Sequence, residues 1–348
     1  MQNIRALFAG IIVIVSTIII VKLPISYGLD LKGGMQLILE AKETKQKKLD
    51  QDAVIGVMEV IRNRIDSLGL TEPVIRRKGN EQIIIELPGI NDIERATKLI
   101  GETAKLEFAE AEWTVPGINS LPDEERETLI GKNSRIEILT QRDKKGNILR
   151  ETPLIIGETV LDGSDLKNSM PGTTEFGEPI VFIEFNKEGT KKFYNATKSN
   201  TGKPLAILLD GKVISAPNIQ EPISGGKAQI SGSFSVEEMR DLVIKLKAGA
   251  LPVPVDIISN KIIGPTLGKD SINKSIRAAI IGFILITLYL VAFYRLSGII
   301  ASISLITYLI TAVASLKILG ATLTLPGIAG LILTMGMAVD ANIIIFER

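Results

Sequence analysis

Asp340 is the residue of this sequence whose type and position most invite chemistry. It lies in Leu323–Arg348, LTLPGIAGLILTMGMAVDANIIIFER, a run that is apolar almost throughout. More than about twenty such residues are what a bilayer core of about 30 Å requires of a helix. Asp340 precedes Phe346 by six residues, which sets it about 9 Å inside a span that ends there. A carboxylate at that depth costs on the order of 2.5 to 3.5 kcal/mol, so it ordinarily faces protein or a wet cavity and serves a pathway. Two roles are open to it. It can hold a hydrogen bond or ion pair to another helix, or it can load and release a proton as a cavity opens to each side of the membrane. The chain has no histidine, so a proton-handling group inside the membrane must be a carboxylate or a lysine.

Nearby residues supply the setting. Gly336 stands one helical turn before Asp340 on the same face, with Ala329 and Leu333 further up, and small residues there let another helix approach closely. Ser304, Thr307, Thr311 and Ser315 fall at positions that place four hydroxyls on one helical face. Such hydroxyls either bond back to their own helix or form a wall able to hold water beside Asp340.

The elements that must position these residues follow from the uneven distribution of apolar side chains. Four blocks, Ile4–Leu23, Ile276–Tyr294, Gly298–Leu319 and Leu323–Phe346, read as membrane spans, and the stretch between the first two reads as one large hydrophilic domain. The first block has no small-x-small cleavage pattern after it and is expected to be an uncleaved anchor. Arg5 and Arg295 should be cytoplasmic, which places the large domain outside. The 348 residues include 40 basic and 39 acidic side chains, a balance that argues against a nucleic-acid partner. Without cysteine there is no thiolate metal site and no disulfide, and no cofactor is expected.

Within the outer domain, residues 35–41 read as a strand and 49–68 as a helix, with Val54, Val57, Met58, Ile61, Ile65 and Leu68 at helical spacing and Gly69 as the stop. Strands at 73–77 and 82–87 flank the turn at Gly79, a helix capped by Asn91-Asp92 follows, and 104–109 makes another strand. That order is βαββαβ, the split βαβ or ferredoxin-like plan. A second copy runs through 180–185, 187–199, 205–209, 228–232, 236–248 and 253–259, which suggests duplication or strands exchanged between a base and a head. The expected fold class is therefore an α+β membrane protein, a helical bundle plus an outer domain of βαββαβ units. The expected division is 1–23 first span, 24–112 base, 113–252 head, 253–275 return strand and linker, then spans at 276–295, 298–319 and 323–346. The stretch 113–178, mixed in charge and rich in Pro and Gly, reads as an insertion or a poorly regular part of the head.

Two glycine motifs remain. Gly264-Pro-Thr-Leu-Gly-Lys-Asp270 has three residues between its glycines where a phosphate loop has four, and Asp where magnesium needs Ser or Thr, so it reads as a linker. Gly28, Gly33 and Gly34 make either a turn at the membrane exit or a hinge on which the outer domain swings.

Gly28–Leu37, Leu209–Pro217 with Gly226–Gly232, Gly264–Asp270 and Gly336–Arg348 resemble, in order, the signature blocks of the SecD/SecF family of protein-export membrane subunits, part of the RND superfamily. The resemblance extends over nearly the whole chain. It implies a non-enzymatic subunit of the bacterial inner membrane that pairs with SecF and assists the SecYEG channel and its SecA motor. It also implies a mobile head that engages unfolded preprotein, powered by the proton-motive force. The family's intramembrane aspartate falls on Asp340, and Asn342 matches the same block. The SecD-type subunit has six membrane helices where four are read here, so the sequence is expected to lack the last two. The alternatives left by the residues themselves are an RND-type exporter of small molecules or lipids and a membrane-tethered scaffold.

Overall fold

The computed structural model describes residues 2–44, 49–70, 73–114, 134–142 and 147–347. The helix α1 (Gln2–Lys22) leads through the short α2 (Leu29–Lys32) into β1 (Gly34–Ala41). Then follow α3 (Gln51–Ser67), β2 (Val74–Lys78), β3 (Gln82–Pro88), α4 (Ile93–Gly101) and β4 (Leu106–Trp113). Local chemistry accounts for their ends. The Asp50 carboxylate accepts from Ala53 N at 2.7 Å to start α3, the Asp92 carboxylate accepts from Arg95 N at 3.0 Å to start α4, and Gly79 takes φ 67° between β2 and β3.

The first sheet has the order β12-β1-β3-β2, where β12 is Val255–Ile263. Its pairs are antiparallel, and α3 and α4 cover one face. Met35, Leu37 and Leu39 alternate inward along β1 and meet Val54, Val57, Ile61 and Ile65 of α3, so the period of two and the period of about 3.6 share one core. The strand that closes this sheet is not the expected one. Residues 106–113 leave for the second sheet, and β12, some 150 residues later, takes the place beside β1. Order along the chain does not choose a partner; an antiparallel edge accepts whichever strand the rest of the fold delivers.

The second sheet runs β10 (Lys212–Ser215), β9 (Leu205–Leu209), β4, β6 (Ile148–Asp162), β5 (Arg135–Arg142), and the third runs β11 (Lys227–Ser231), β8 (Pro179–Phe185), β7 (Leu166–Thr173). The helices α5 (Lys187–Ser199) and α6 (Val236–Ala248) pack with them around Phe108, Phe185 and Phe193. The expected second βαββαβ unit is thus dispersed, its strands shared among all three sheets. The stretch expected to be irregular is also corrected: its residues 115–133 and 143–146 lie outside the described residues, and the rest holds β5, β6 and β7. Pro153 misled that reading. It sits in the part of β6 that pairs with β5 alone, before pairing to β4 begins at Leu154, and a proline is tolerated where one side of the strand is free.

Among the described residues, two helical stretches are long and apolar enough to cross a membrane, Ile272–Ile318 and Leu325–Ile345, and α1 carries a shorter apolar run over Gly10–Lys22. The first belongs to α7 (Pro265–Ile318), which breaks at Arg295, with φ 49° and ψ −117°. Leu290, before the break, shares one buried cluster with Ala301 and Leu305 after it. A straight helix would hold Leu290 and Leu305 about 22 Å apart, so the two arms fold back on each other. Gly298 sits where a Cβ would collide with the Leu290 carbonyl. The last helix, α8 (Leu325–Phe346), adds Met335 and Val339 to the cluster. Lys317 Nζ donates to the carbonyls of Ile20 and Leu23, which caps the end of α1 and ties it to α7.

Candidate functional site

Asp340 is positioned by α8, whose N-cap Thr324 accepts at Oγ1 from Gly327 N at 3.2 Å. Met335 and Val339 face the other helices and are buried. Asp340 is exposed, together with Leu333, Met337, Ala341, Ile344 and Ile345, so the carboxylate points away from the helices it packs beside. Among the described residues nothing hydrogen-bonds or ion-pairs with it. Gly336, one turn away, has open space around the position a Cβ would take. An apolar face carrying one carboxylate and one gap is shaped for further helices.

The hydroxyl stripe does not join this face. Thr307 donates to Ile303 O at 3.0 Å, Thr311 to Thr307 O at 2.8 Å and Ser315 to Thr311 O at 2.8 Å, so each satisfies itself on its own helix, and Ser304 is exposed. Asn342 Nδ2 donates to Ala338 O at 3.3 Å, also within its own helix.

The three glycines at the domain entrance have packing reasons. Gly28 N donates to Leu323 O at 2.8 Å and Leu323 N to Ser26 O at 2.7 Å, so the approach to the outer domain is zipped to the residue just before the N-cap of α8. A Cβ on Gly28 would stand 2.6 Å from Thr324 Cγ2. Gly33 ends α2 at φ 73° by donating to Leu29 O, and Gly34 enters β1 at φ 131° with its Cβ position against the Leu87 carbonyl. The helix bearing Asp340 and the first strand of the outer domain are therefore linked through a few hydrogen-bonded residues. Gly34→Ala is expected to lose about 1–3 kcal/mol from backbone strain alone, with a further loss from the clash. A thermal unfolding curve of the full chain checks this, and an unchanged midpoint would contradict the close approach.

A second constellation sits where the chain crosses between the first sheet and the other two. Arg64 on α3 is fully buried. Its Nη1 donates to Leu99 O at 2.8 Å and to Glu102 O, and its Nη2 donates to Thr103 O at 3.0 Å and Gly249 O at 3.2 Å. Thr103 lies on the outgoing crossing and Gly249 on the return, and Leu251 N donates to Thr103 O at 2.9 Å, so one guanidinium gathers both. Its Nε has no partner among the described residues. Burial lowers its pKa to about 10, opposed by the charges of Asp210 and Glu102.

Both crossings take unusual backbone, Ala104 at φ 59° and Gly249 at φ 85°. The Asp210 carboxylate, on the Asp210-Gly211 hairpin tip between β9 and β10, accepts from Ala104 N and Lys105 N, each at 2.9 Å. Lys245 pairs with Glu102, and Arg95 binds Asp241 at 2.6 Å and Glu237 at 3.3 Å across the same joint. Sequence reasoning missed this cluster. The signal was present: Arg64 falls seven residues after Val57 and three after Ile61, on the buried stripe of α3, where a charge must find partners.

The chain matches four domain families in chain order: the SecD/SecF GG motif over residues 18–45, the N-terminal part of the SecDF P1 domain over 54–112, the SecDF P1 head subdomain over 137–253, and the C-terminal region of the protein export membrane proteins SecD/SecF over 245–348. It is 43% identical over 346 residues to the protein translocase subunit SecD of Dictyoglomus turgidum, covering 99% of this chain and 76% of that protein. The chain belongs to the SecD family. Two solved SecDF structures resemble this SecD-family chain at 38% identity. One, described as a translocon-associated membrane protein from Thermus thermophilus, has TM-score 0.56 and coverage of 99% of this chain and 48% of that one. The other, in a super-membrane-facing form, has TM-score 0.54 and coverage of 100% and 47%. The SecD-family chain thus spans about half the length of those SecDF chains. Its GG motif is the Gly33-Gly34 pair at the membrane exit, and the head and C-terminal matches overlap at Gly249, on the return crossing.

Proposed function

We propose that this chain is an accessory subunit of the Sec export machinery that uses the proton-motive force to help complete preprotein translocation. It sits in the bacterial inner membrane as a multi-pass protein with its large domain outside. In this reading it pairs with SecF beside SecYEG and SecA, and the preprotein meets it unfolded. The base is the β12-β1-β3-β2 sheet, one split βαβ unit closed by the return strand, and the head is the remainder. Asp340 carries the proton, Gly336 gives a neighbouring helix its approach, and the Gly28–Gly34 segment passes movement of α8 to the outer domain.

The observation that carries the reading is the coincidence of two features on α8. Its one carboxylate faces away from the helices present, toward a site for others, and its N-terminal end is hydrogen-bonded to the entrance of the outer domain. Inverted inner-membrane vesicles depleted of the protein and then resupplied with it, together with its partner subunits, test the proposal. Resupply should restore gradient-dependent completion of a preprotein already engaged in the channel. Equal completion with and without the chain would overturn it.

A further inference from the structure

Lys274, Arg277, Ile281, Ile284 and Leu288 recur every three or four residues along the first arm of α7, so they share one face of that helix. All five are exposed, the Lys274 side chain at 79% and the three apolar residues at 54–65%. Arg277 is the last charge before residues 278–294, which carry none over about 25 Å of helix. It therefore stands at the edge of the apolar layer on the side of the outer domain, with Lys274 about one turn nearer that domain. From Arg277 to Leu288 the stripe is about 16 Å long, close to the ~15 Å of one leaflet's hydrocarbon. Two cations at the head of a leaflet-long row of branched apolar side chains match the outline of a phospholipid.

Charge and shape narrow the occupant. Asp270, the single acidic residue of α7, pairs with Lys274 at 3.3 Å, and Arg277 has no ion pair among the described residues, so the two cations exceed it by one charge. The Asp270–Lys274 pair is exposed on both sides and holds Lys274 weakly. A packed helix is the other candidate to cover such a face, and it would seek small residues. Those lie elsewhere: Ala278 and Gly282 fall roughly 100° round the helix, and Gly282 has open space about its Cβ position. The apolar part of the stripe offers only isoleucine and leucine, which acyl chains meet as readily as they meet each other. A phosphodiester without an amine gives the guanidinium and ammonium groups a net negative partner, where a zwitterionic headgroup brings its own cation.

We propose that this stripe is a site for an anionic phospholipid of the leaflet on the outer-domain side, with its phosphodiester between Lys274 and Arg277 and one acyl chain along Ile281, Ile284 and Leu288. The site is independent of the export reading. Its occupant would steady the start of α7, which follows β12 of the first sheet directly at Gly264. The full chain in phosphatidylcholine vesicles tests it, with Trp113→Phe to remove the single tryptophan and Ile281→Trp as reporter. Brominated phosphatidylglycerol should compete for the reporter about fivefold better than brominated phosphatidylcholine, the effect of one net charge at the surface. The preference should fall to near unity with Lys274→Gln and Arg277→Gln together and survive in part with Arg277→Lys. A second reporter, Phe293→Trp near the far end of the arm, should show the same lipid preference with and without those changes. Native mass spectrometry of the unaltered chain and of the double glutamine variant, counting retained phosphatidylglycerol, reads the same loss without a tryptophan reporter. Equal quenching by the two lipids at 281, or a preference unchanged by the double substitution, would overturn the proposal. So would quenching by neither lipid, which would mean that a helix covers the stripe. A preference abolished by millimolar inorganic phosphate would make the site one for a free anion and overturn it as well.

Discussion

Replacing Arg64 by methionine is expected to destabilise the outer domain by about 3–5 kcal/mol and to loosen the joint between its first sheet and the other two. The magnitude follows from opposing terms. Four charge-assisted hydrogen bonds from the guanidinium contribute about 1.5–3 kcal/mol each before losses. Against them, burial outweighs the neighbouring carboxylates and lowers its pKa to about 10, a net cost of roughly 3 kcal/mol. The bonds win. Methionine removes that cost but leaves the carbonyls of Glu102, Thr103 and Gly249 facing an apolar side chain in a closed site. Arg64→Lys should recover part of the loss, because an ammonium on a flexible stem reaches some of those oxygens without spanning all of them. Hydrogen exchange on the full chain separates local from global effects. Protection should fall first over residues 99–105 and 245–251, and a methionine variant with protection and unfolding midpoint unchanged would sink the assignment.

The same joint shows why parts of the fold were legible and others were not. α3 could be placed within two residues from its apolar period and the glycine after it, because both signals are local. The partners of β4 and β12 were not legible. Each reads as a strand by itself, but which sheet it joins depends on residues up to 229 positions away. Arg64 was visible as a charge on an apolar stripe, yet its partners are backbone carbonyls, which every residue has, so no side-chain pattern pointed to them. On the membrane side, depth alone singled out Asp340. The hydroxyl stripe left two readings open because spacing gives the face of a helix and not what that face meets, and these groups have acceptors one turn away on their own helix.

Asp340→Asn is expected to remove the gradient-dependent part of export while leaving the fold intact. The two halves of that statement rest on different observations. The carboxylate makes no hydrogen bond or ion pair among the described residues and lies on an exposed face of α8, so the amide, of nearly the same volume, disturbs no contact described here. The amide cannot bind and release a proton, so the side chain can no longer respond to the gradient. One charge moved across 100 mV is worth about 2.3 kcal/mol, close to a fiftyfold bias between two conformations, and that bias should vanish. Asp340→Glu keeps the titrating group but moves it by about one bond length, and should retain a reduced share of the rate. Completion of an engaged preprotein, measured in vesicles with and without an uncoupler, reads the effect directly. The asparagine variant should run at the uncoupled rate under both conditions, with wild-type thermal stability. Full uncoupler-sensitive completion by that variant would mean that the proton passes elsewhere, and that the carboxylate serves only to seat a neighbouring helix beside Gly336.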